Sequence, residues 1–225
     1  MQKATYMINN NTIAFLFDLD GVLIDSESEY TKIWDRINLK YPTGVEQFSR
    51  KIKGTTLTDI LSTYFQEDLH PDIIADLYKF ENQMVFRYCP GAREFLLYLK
   101  EHGIPSAIVT SSNMAKMDKL RRQIPDIGSL VDKVISSEDV EKSKPDPEGY
   151  LKAAHALGMN PADCVVVEDS LSGCKAGKNA GATVIGIGAT VGTETLRKHA
   201  DFLFETFSDM KAAEIIRTIS DSKLK

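Results

Sequence analysis

The sequence predicts an α/β protein built on a doubly wound parallel sheet of five or six strands, with an all-helical segment inserted after the first strand. Three observations carry this. Short apolar runs alternate with amphipathic helical stretches, the arrangement that right-handed crossovers turn into a parallel sheet. The first run, Ile13-Ala-Phe-Leu-Phe17, is apolar without interruption, as in a strand buried on both faces. From Asp25 to Cys89 the spacing is helical and no convincing strand occurs. The expected division is therefore a sheet-bearing core domain of residues 1–25 and 89–225, with residues 26–88 as an inserted helical domain.

Met1–Asn11 reads as a loose lead-in with no apolar run of signal-peptide type. The first strand ends in Asp18 and Asp20, separated by one leucine and followed by Gly21, which permits a tight turn. Tyr30, Ile33, Trp34 and Ile37 form a helical stripe within 26–39, and helices are expected over 45–52, 56–64 and 71–87, with Thr55 or Thr56 as an N-cap. A helix over 92–102 is closed by Gly103. A strand over 106–110 then runs into Thr110-Ser-Ser-Asn113, and a basic helix over 115–123 precedes a weak strand over 133–136. Pro147 opens a helix that runs to Leu157 and stops at Gly158. A strand over 163–168 runs into Glu168 and Asp169, Ser170 caps the next helix, and Gly181 precedes a strand over 183–188. The tail from Thr195 reads as helix and short strand over one sheet edge.

Composition narrows the function classes. The 225 residues are 43% hydrophobic and 26% charged, an ordinary balance for a globular chain, and no apolar run approaches a bilayer span. A formal charge of −5 without a basic stripe argues against nucleic-acid binding. Cys89, Cys164 and Cys174 are odd in number and scattered, as expected of reduced thiols in a cytoplasmic protein. The four histidines have no ligand-like context. No nucleic-acid or membrane partner is expected, and the chain is expected to be a monomer or weak dimer.

Chemistry in an open α/β sheet collects at the carboxyl ends of its strands. There the sequence places Asp18 and Asp20, then Thr110, then Lys144 in a loop, then Glu168 and Asp169. Taken singly, Thr110 reads as a turn residue, Lys144 as a solvated lysine, and Glu168 and Asp169 as helix N-terminal acids. Their joint occurrence at successive strand ends does not. Paired carboxylates need a compensating positive charge, for which a hard divalent cation is suited.

The segments Asp18-Leu-Asp-Gly-Val-Leu-Ile-Asp-Ser-Glu27, Val109-Thr-Ser-Ser112, Ser143-Lys-Pro-Asp-Pro147 and Val167-Glu-Asp-Ser170 together resemble the four motifs of the haloacid dehalogenase superfamily of aspartate-nucleophile phosphotransferases. The helical insertion resembles that family's helical cap, and the β-phosphoglucomutase and sugar-phosphatase branch is the nearest in flavour. The resemblance implies Asp18 as nucleophile and Asp20 as general acid and base with a raised pKa. It implies that the Thr110 hydroxyl and the Ser111 N–H hold phosphate, and that Lys144 supplies positive charge. Mg²⁺ is implied on Asp18, Asp169 and the Asp20 carbonyl, with Glu168 as an orienting group or outer ligand.

Lys53, in a segment resembling the cap loop, is a candidate substrate contact. In mutases of this branch an arginine stands where this chain has Leu57, and a gating histidine where it has Tyr30. Both departures favour a Mg²⁺-dependent phosphatase whose partner is a small phosphorylated metabolite, a sugar or polyol phosphate, with a hexose-phosphate mutase as the alternative. A dehalogenase has no use for Asp20, whereas a phosphonatase would use Lys53. A signalling receiver domain differs in strand order and lacks the insertion, and a catalytically dead binding protein is disfavoured because no motif residue is missing.

Overall fold

The computed structural model describes residues 13–53 and 55–223; the lead-in expected over Met1–Asn11 and the cap-loop Gly54 lie outside the described residues. Six strands form one all-parallel sheet: β1 (Ala14–Phe17), β2 (Ser106–Val109), β3 (Lys133–Ile135), β4 (Cys164–Glu168), β5 (Thr183–Ile187) and β6 (Phe202–Phe204). Their spatial order, β3-β2-β1-β4-β5-β6, puts β1 between β2 and β4. That is the switch point of a doubly wound sheet, where loops diverge and leave a crevice. The order brings the carboxyl ends of β1, β2 and β4 together.

Alternation along β1 assigns its two faces. Phe15 and Phe17 enter an aromatic cluster with Phe95 and Phe207, with ring centroids 5.4–6.1 Å apart across the cluster. Ala14 and Leu16 pack on the opposite face with Ala153, Ala154, Val166 and Cys174. The helices flanking the sheet are α5 (Ala92–Glu101), α6 (Met114–Gln123), a short α7 (Ile127–Leu130) that periodicity did not reveal, α8 (Glu148–Ala156), α9 (Leu171–Asn179), α10 (Thr193–Leu196) and α11 (Ala212–Lys223). To keep chain order, the helices between β1 and α5 are named cα1 (Glu27–Lys40), cα2 (Phe48–Lys51), cα3 (Leu57–Tyr64) and cα4 (His70–Glu81).

Those four inserted helices share an apolar centre. Phe48 is set edge-on against Trp34, Tyr64 and Phe65, beside buried Ile37, Leu61 and Leu77. Thr56 caps cα3 by accepting from the Asp59 N–H. Two expected helices are shorter than their periodicity suggests. The one over 45–52 contracts to cα2, and the one over 71–87 ends at Glu81. Beyond Glu81 the chain finds better partners outside the helix: the Phe86 N–H donates to Gln123 Oε1 at 2.8 Å, and Gln123 Nε2 donates to the Met84 carbonyl at 3.0 Å. The two connections between the insertion and the sheet then run side by side, with Asp25 N–H donating to the Arg87 carbonyl and Cys89 N–H to that of Leu23.

Among the described residues no helix is long and apolar enough to cross a membrane, and Cys89, Cys164 and Cys174 are free. Phe95 touches every other ring of the sheet-face cluster. Phe95→Ala is therefore expected to cost about 3–5 kcal/mol in urea denaturation; a loss below about 1 kcal/mol would mean the cluster is not what seats α5 on the sheet.

Candidate active site

Each functional side chain sits where a strand ends. Asp18 follows β1, and its N–H donates to the Val167 carbonyl at 2.9 Å, which sets its carboxylate beside the end of β4. Thr110 follows β2, with its N–H donating to the Ile135 carbonyl at 2.9 Å. The Thr110 Oγ1 accepts from the Ser112 N–H at 3.0 Å, so its own proton remains available to an oxygen in the crevice. Ser111 is exposed beside it.

Lys144 links three strand ends. Its ammonium makes a very short hydrogen bond to Asp18 Oδ1, and donates at 2.7 Å to Glu168 Oε1 and at 3.1 Å to the Val109 carbonyl. It lies 5.1 Å from the centre of the Tyr150 ring. Burial disfavours this ammonium, but Asp18 and Glu168 outweigh burial and hold its pKa well above the ordinary lysine range.

Glu168 is fully buried and fully bonded. Besides Lys144, its Oε1 accepts from the Tyr150 hydroxyl at 2.9 Å, while Oε2 accepts from the Asp169 and Ser170 N–H groups and the Ser170 hydroxyl. The same Ser170 oxygen caps α9, accepting from the Gly173 N–H at 3.0 Å. A Cβ on Gly173 would stand 1.7 Å from Glu168 Oε1, so only glycine leaves room for this carboxylate. Burial raises the Glu168 pKa, but Lys144 and the hydrogen bonds lower it by more.

Its neighbour Asp169 has the opposite fate. One oxygen receives a very short hydrogen bond from the Thr190 hydroxyl, yet burial, then repulsion from Glu168 and Asp18, push its pKa well above the carboxylate range. Its Oδ2 would lie 2.0 Å from a Cβ on Gly21, whose φ of +76° also favours glycine. The carboxyl thus packs directly on the turn that follows Asp18 and Asp20. Asp18 itself is raised to about 7, by burial first, with Lys144 opposing and Glu168 and Asp20 adding repulsion.

Three buried carboxylates face one ammonium, which leaves the cluster short of positive charge. Asp18 and Asp169 are the two whose ionisation is opposed, and hard carboxylate oxygens of this kind suit Mg²⁺. The donor set therefore fits a divalent cation on Asp18 and Asp169, completed by backbone carbonyl and water. Among the described residues no three acidic, histidine or cysteine side chains form a ready-made metal cage. The candidate metal set was Asp18, Asp169, Asp20 through its carbonyl, and Glu168 as an orienting group or outer ligand; the contacts of Glu168 are those of an orienting group. Both oxygens of Glu168 are taken by protein donors, and the Asp20 side chain is engaged elsewhere.

Asp20 departs from expectation a second time. Its Oδ2 accepts from the Ser112 hydroxyl at 2.8 Å and its Oδ1 from Lys116 Nζ at 2.6 Å. Burial raises its pKa, but Lys116 and the side-chain hydrogen bonds together lower it by more, and the result is a lowered value rather than the raised one expected. Lys116, Tyr150 and Thr190 were all missed by sequence reasoning. Lys116 had a signal in hindsight: Asn113 caps α6 by accepting from the Lys116 N–H at 2.9 Å, which places Lys116 in the first turn beside the Thr110 loop. The crevice continues upward into a cavity of about 580 Å³ between α6 and the inserted helices, and a second of about 280 Å³ within them. Lys53 lines the inner one, 3.6 Å from Glu27.

The sequence profile of the haloacid dehalogenase-like hydrolases matches residues 15–187. Hexitol phosphatase A of Escherichia coli is 32% identical over 82% of this chain and 87% of that protein. A phosphorylated carbohydrates phosphatase of Thermotoga maritima is 33% identical over 75% of this chain and 81% of its own. Among solved structures, a HAD family hydrolase of Deinococcus radiodurans with bound phosphate and sodium superposes with a TM-score of 0.78 at 27% identity, covering 91% of this chain and 95% of that one.

A divalent cation held on Asp18 would compete with its proton. Its folded pKa lies above the ordinary 3.8, so its contribution to stability is full below that value and is lost as pH rises through about 7. Mg²⁺ binding offsets the loss. In thermal melts Mg²⁺ is therefore expected to raise Tm more at about pH 8 than at about pH 5.5, with stabilisation of about 2.7 kcal/mol at 100 times its Kd. Equal shifts at both pH values would refute the assignment.

Proposed function

The chain belongs to the haloacid dehalogenase-like hydrolases, and from that premise we propose that it is a Mg²⁺-dependent phosphomonoester hydrolase acting on a sugar or polyol phosphate through an aspartyl-phosphate. The observation that carries the reading is the convergence of Asp18, Thr110, Lys144 and Asp169 at three adjacent strand ends, around a buried cluster short of positive charge. The named activities of the Escherichia coli and Thermotoga maritima relatives support the substrate class. Hydrolysis is favoured over mutase chemistry by Leu57, which lines the inner cavity where a mutase of this branch carries an arginine for a second phosphate.

Asp18 and Asp169 would hold Mg²⁺, which when bound screens the repulsion between nucleophile and phosphate. Thr110 and Ser111 donate to the phosphate oxygens, and Lys144 lies against the attacking carboxylate, where charge develops on the transferring group. Asp18 Oδ attacks phosphorus, the P–O bond to the substrate breaks, and the leaving oxygen takes a proton from Asp20. Asp20 then accepts a proton from the water that attacks phosphorus and releases Asp18. Its contacts with Ser112 and Lys116 favour the ionised form, which suits the second half of the cycle. Glu168 touches no substrate and serves to aim Lys144.

Phosphate release from sugar and polyol phosphates is expected with Mg²⁺ and lost in EDTA. Isomerised sugar phosphate with little free phosphate would replace the hydrolase by a mutase. Asp18→Asn is expected to lower kcat at least about 10³-fold, and Asp20→Asn about 10²- to 10⁴-fold. Near wild-type turnover in either variant contradicts the role given to that residue.

A further inference from the structure

Tyr30 and Glu81 line both the outer cavity, which reaches Ser111, Ser112 and Lys116, and the inner cavity within the helical insertion. They are the wall the two share. A leaving group that extends from the phosphate site into the insertion therefore passes this pair.

The pair is built to hold a carboxylate in place. The Tyr30 hydroxyl donates to Glu81 Oε1 at 2.9 Å, and among the described residues Oε2 takes no hydrogen bond. Lys119 Nζ donates to the Glu81 backbone carbonyl at 2.5 Å and so anchors the end of cα4. Glu81 is half-buried, and one of its oxygens is left to accept. Beyond it, the inner cavity adds the carboxylate of Glu27, the hydroxyls of Thr31 and Thr55, and an apolar wall of Trp34 and Leu57. Lys53 is the ammonium of that lining and is matched by Glu27 at 3.6 Å, so the inner lining has no surplus positive charge; Lys116 and Lys119 line the outer cavity alone, the first bonded to Asp20 and the second to the Glu81 carbonyl.

Carboxylate acceptors beside hydroxyls and an apolar wall suit a neutral chain bearing several hydroxyls, whose O–H groups donate while its C–H face packs. A second phosphate or a carboxylate would meet Glu81 and Glu27 at short range, and like charges in a half-buried site repel strongly. We propose that Glu81, aimed by Tyr30, selects the leaving group of the phosphatase reaction proposed above, accepting neutral polyols and rejecting a second anionic group. Glu81 is the specificity-determining residue and Tyr30 its positioning residue.

The test compares a hexitol 6-phosphate with the corresponding hexitol 1,6-bisphosphate, which differ only in the second phosphate, and adds p-nitrophenyl phosphate. Wild type is expected to favour the monophosphate at least about 100-fold in kcat/KM. Glu81→Gln keeps the shape and removes the charge, and should narrow that ratio about tenfold, mainly through the KM of the bisphosphate. Tyr30→Phe leaves the charge but frees the carboxylate, and should raise KM for the monophosphate about three- to tenfold with a smaller change in kcat. A wild-type enzyme indifferent to the second phosphate, or a Glu81→Gln ratio equal to wild type, overturns the assignment. The wild-type reaction with p-nitrophenyl phosphate separates the two readings. Phosphate release there with an unchanged Glu81→Gln ratio removes only the specificity proposal. Absence of Mg²⁺-dependent release from all three esters removes the hydrolase on which it rests.

Discussion

The buried ammonium of Lys144 is the constraint on which the rest of the site depends. It joins Asp18 at the end of β1, the Val109 carbonyl at the end of β2, and Glu168 at the end of β4. Buried charges are tolerated only when paired and hydrogen-bonded, and removing one partner of such a pair typically costs about 3–5 kcal/mol. The three central strands are thus tied together at their carboxyl ends by a group that the proposed reaction also uses. The strand order puts this group at the switch point, where diverging loops leave a crevice that admits a side chain from a loop.

Glu168 and Asp169 show how one step along the backbone separates two roles. Glu168, the last residue of β4, points toward Lys144 and Tyr150 and has every oxygen satisfied. Asp169 begins the turn, packs against Gly21, and bears the repulsion of Glu168 and Asp18. One carboxylate keeps its charge and orients the lysine. The other is left in want of a cation. The division follows from where the strand ends, since side chains beyond that point no longer follow the pleat.

The inserted helices complete the crevice from above, and their chemistry differs from that of the sheet edge. Below, the Lys144 ammonium and the Thr110 and Ser111 hydroxyls lie among the carboxylates at the strand ends. Above, Glu27 and Glu81 set acceptors among hydroxyls and apolar side chains. Lys116 lies between the two, bonded to Asp20 and 5.8 Å from the centre of the Tyr30 ring. The charge of the molecule is therefore arranged in layers along the path a substrate would take.

Much of this was legible in the sequence. The apolar run before Asp18, the polar run after β2 and the acidic pair after β4 are local signals, because a buried parallel strand must be continuously apolar and a strand end must be polar. Gly21, Gly158, Gly181 and the Thr56 and Ser170 caps likewise follow from backbone rules that need no tertiary context. The order of motifs then pointed to Asp18, Thr110, Lys144 and Asp169 as one candidate site, and the fold brings them to adjacent strand ends. What the sequence could not decide was which partner each charged group would take. Hydrogen bonds from Lys116 to Asp20, from Tyr150 to Glu168 and from Tyr30 to Glu81 join residues 96, 18 and 51 positions apart. Periodicity is silent about such pairs, and the pKa of a buried carboxylate depends on them more than on its sequence neighbours. For that reason the Asp20 pKa was expected to be raised and is lowered, and the choice between orienting group and outer ligand for Glu168 stayed open until its partners were seen. The residue types and their order determined the fold and the members of the site; three-dimensional packing decided the charge state and the task of each.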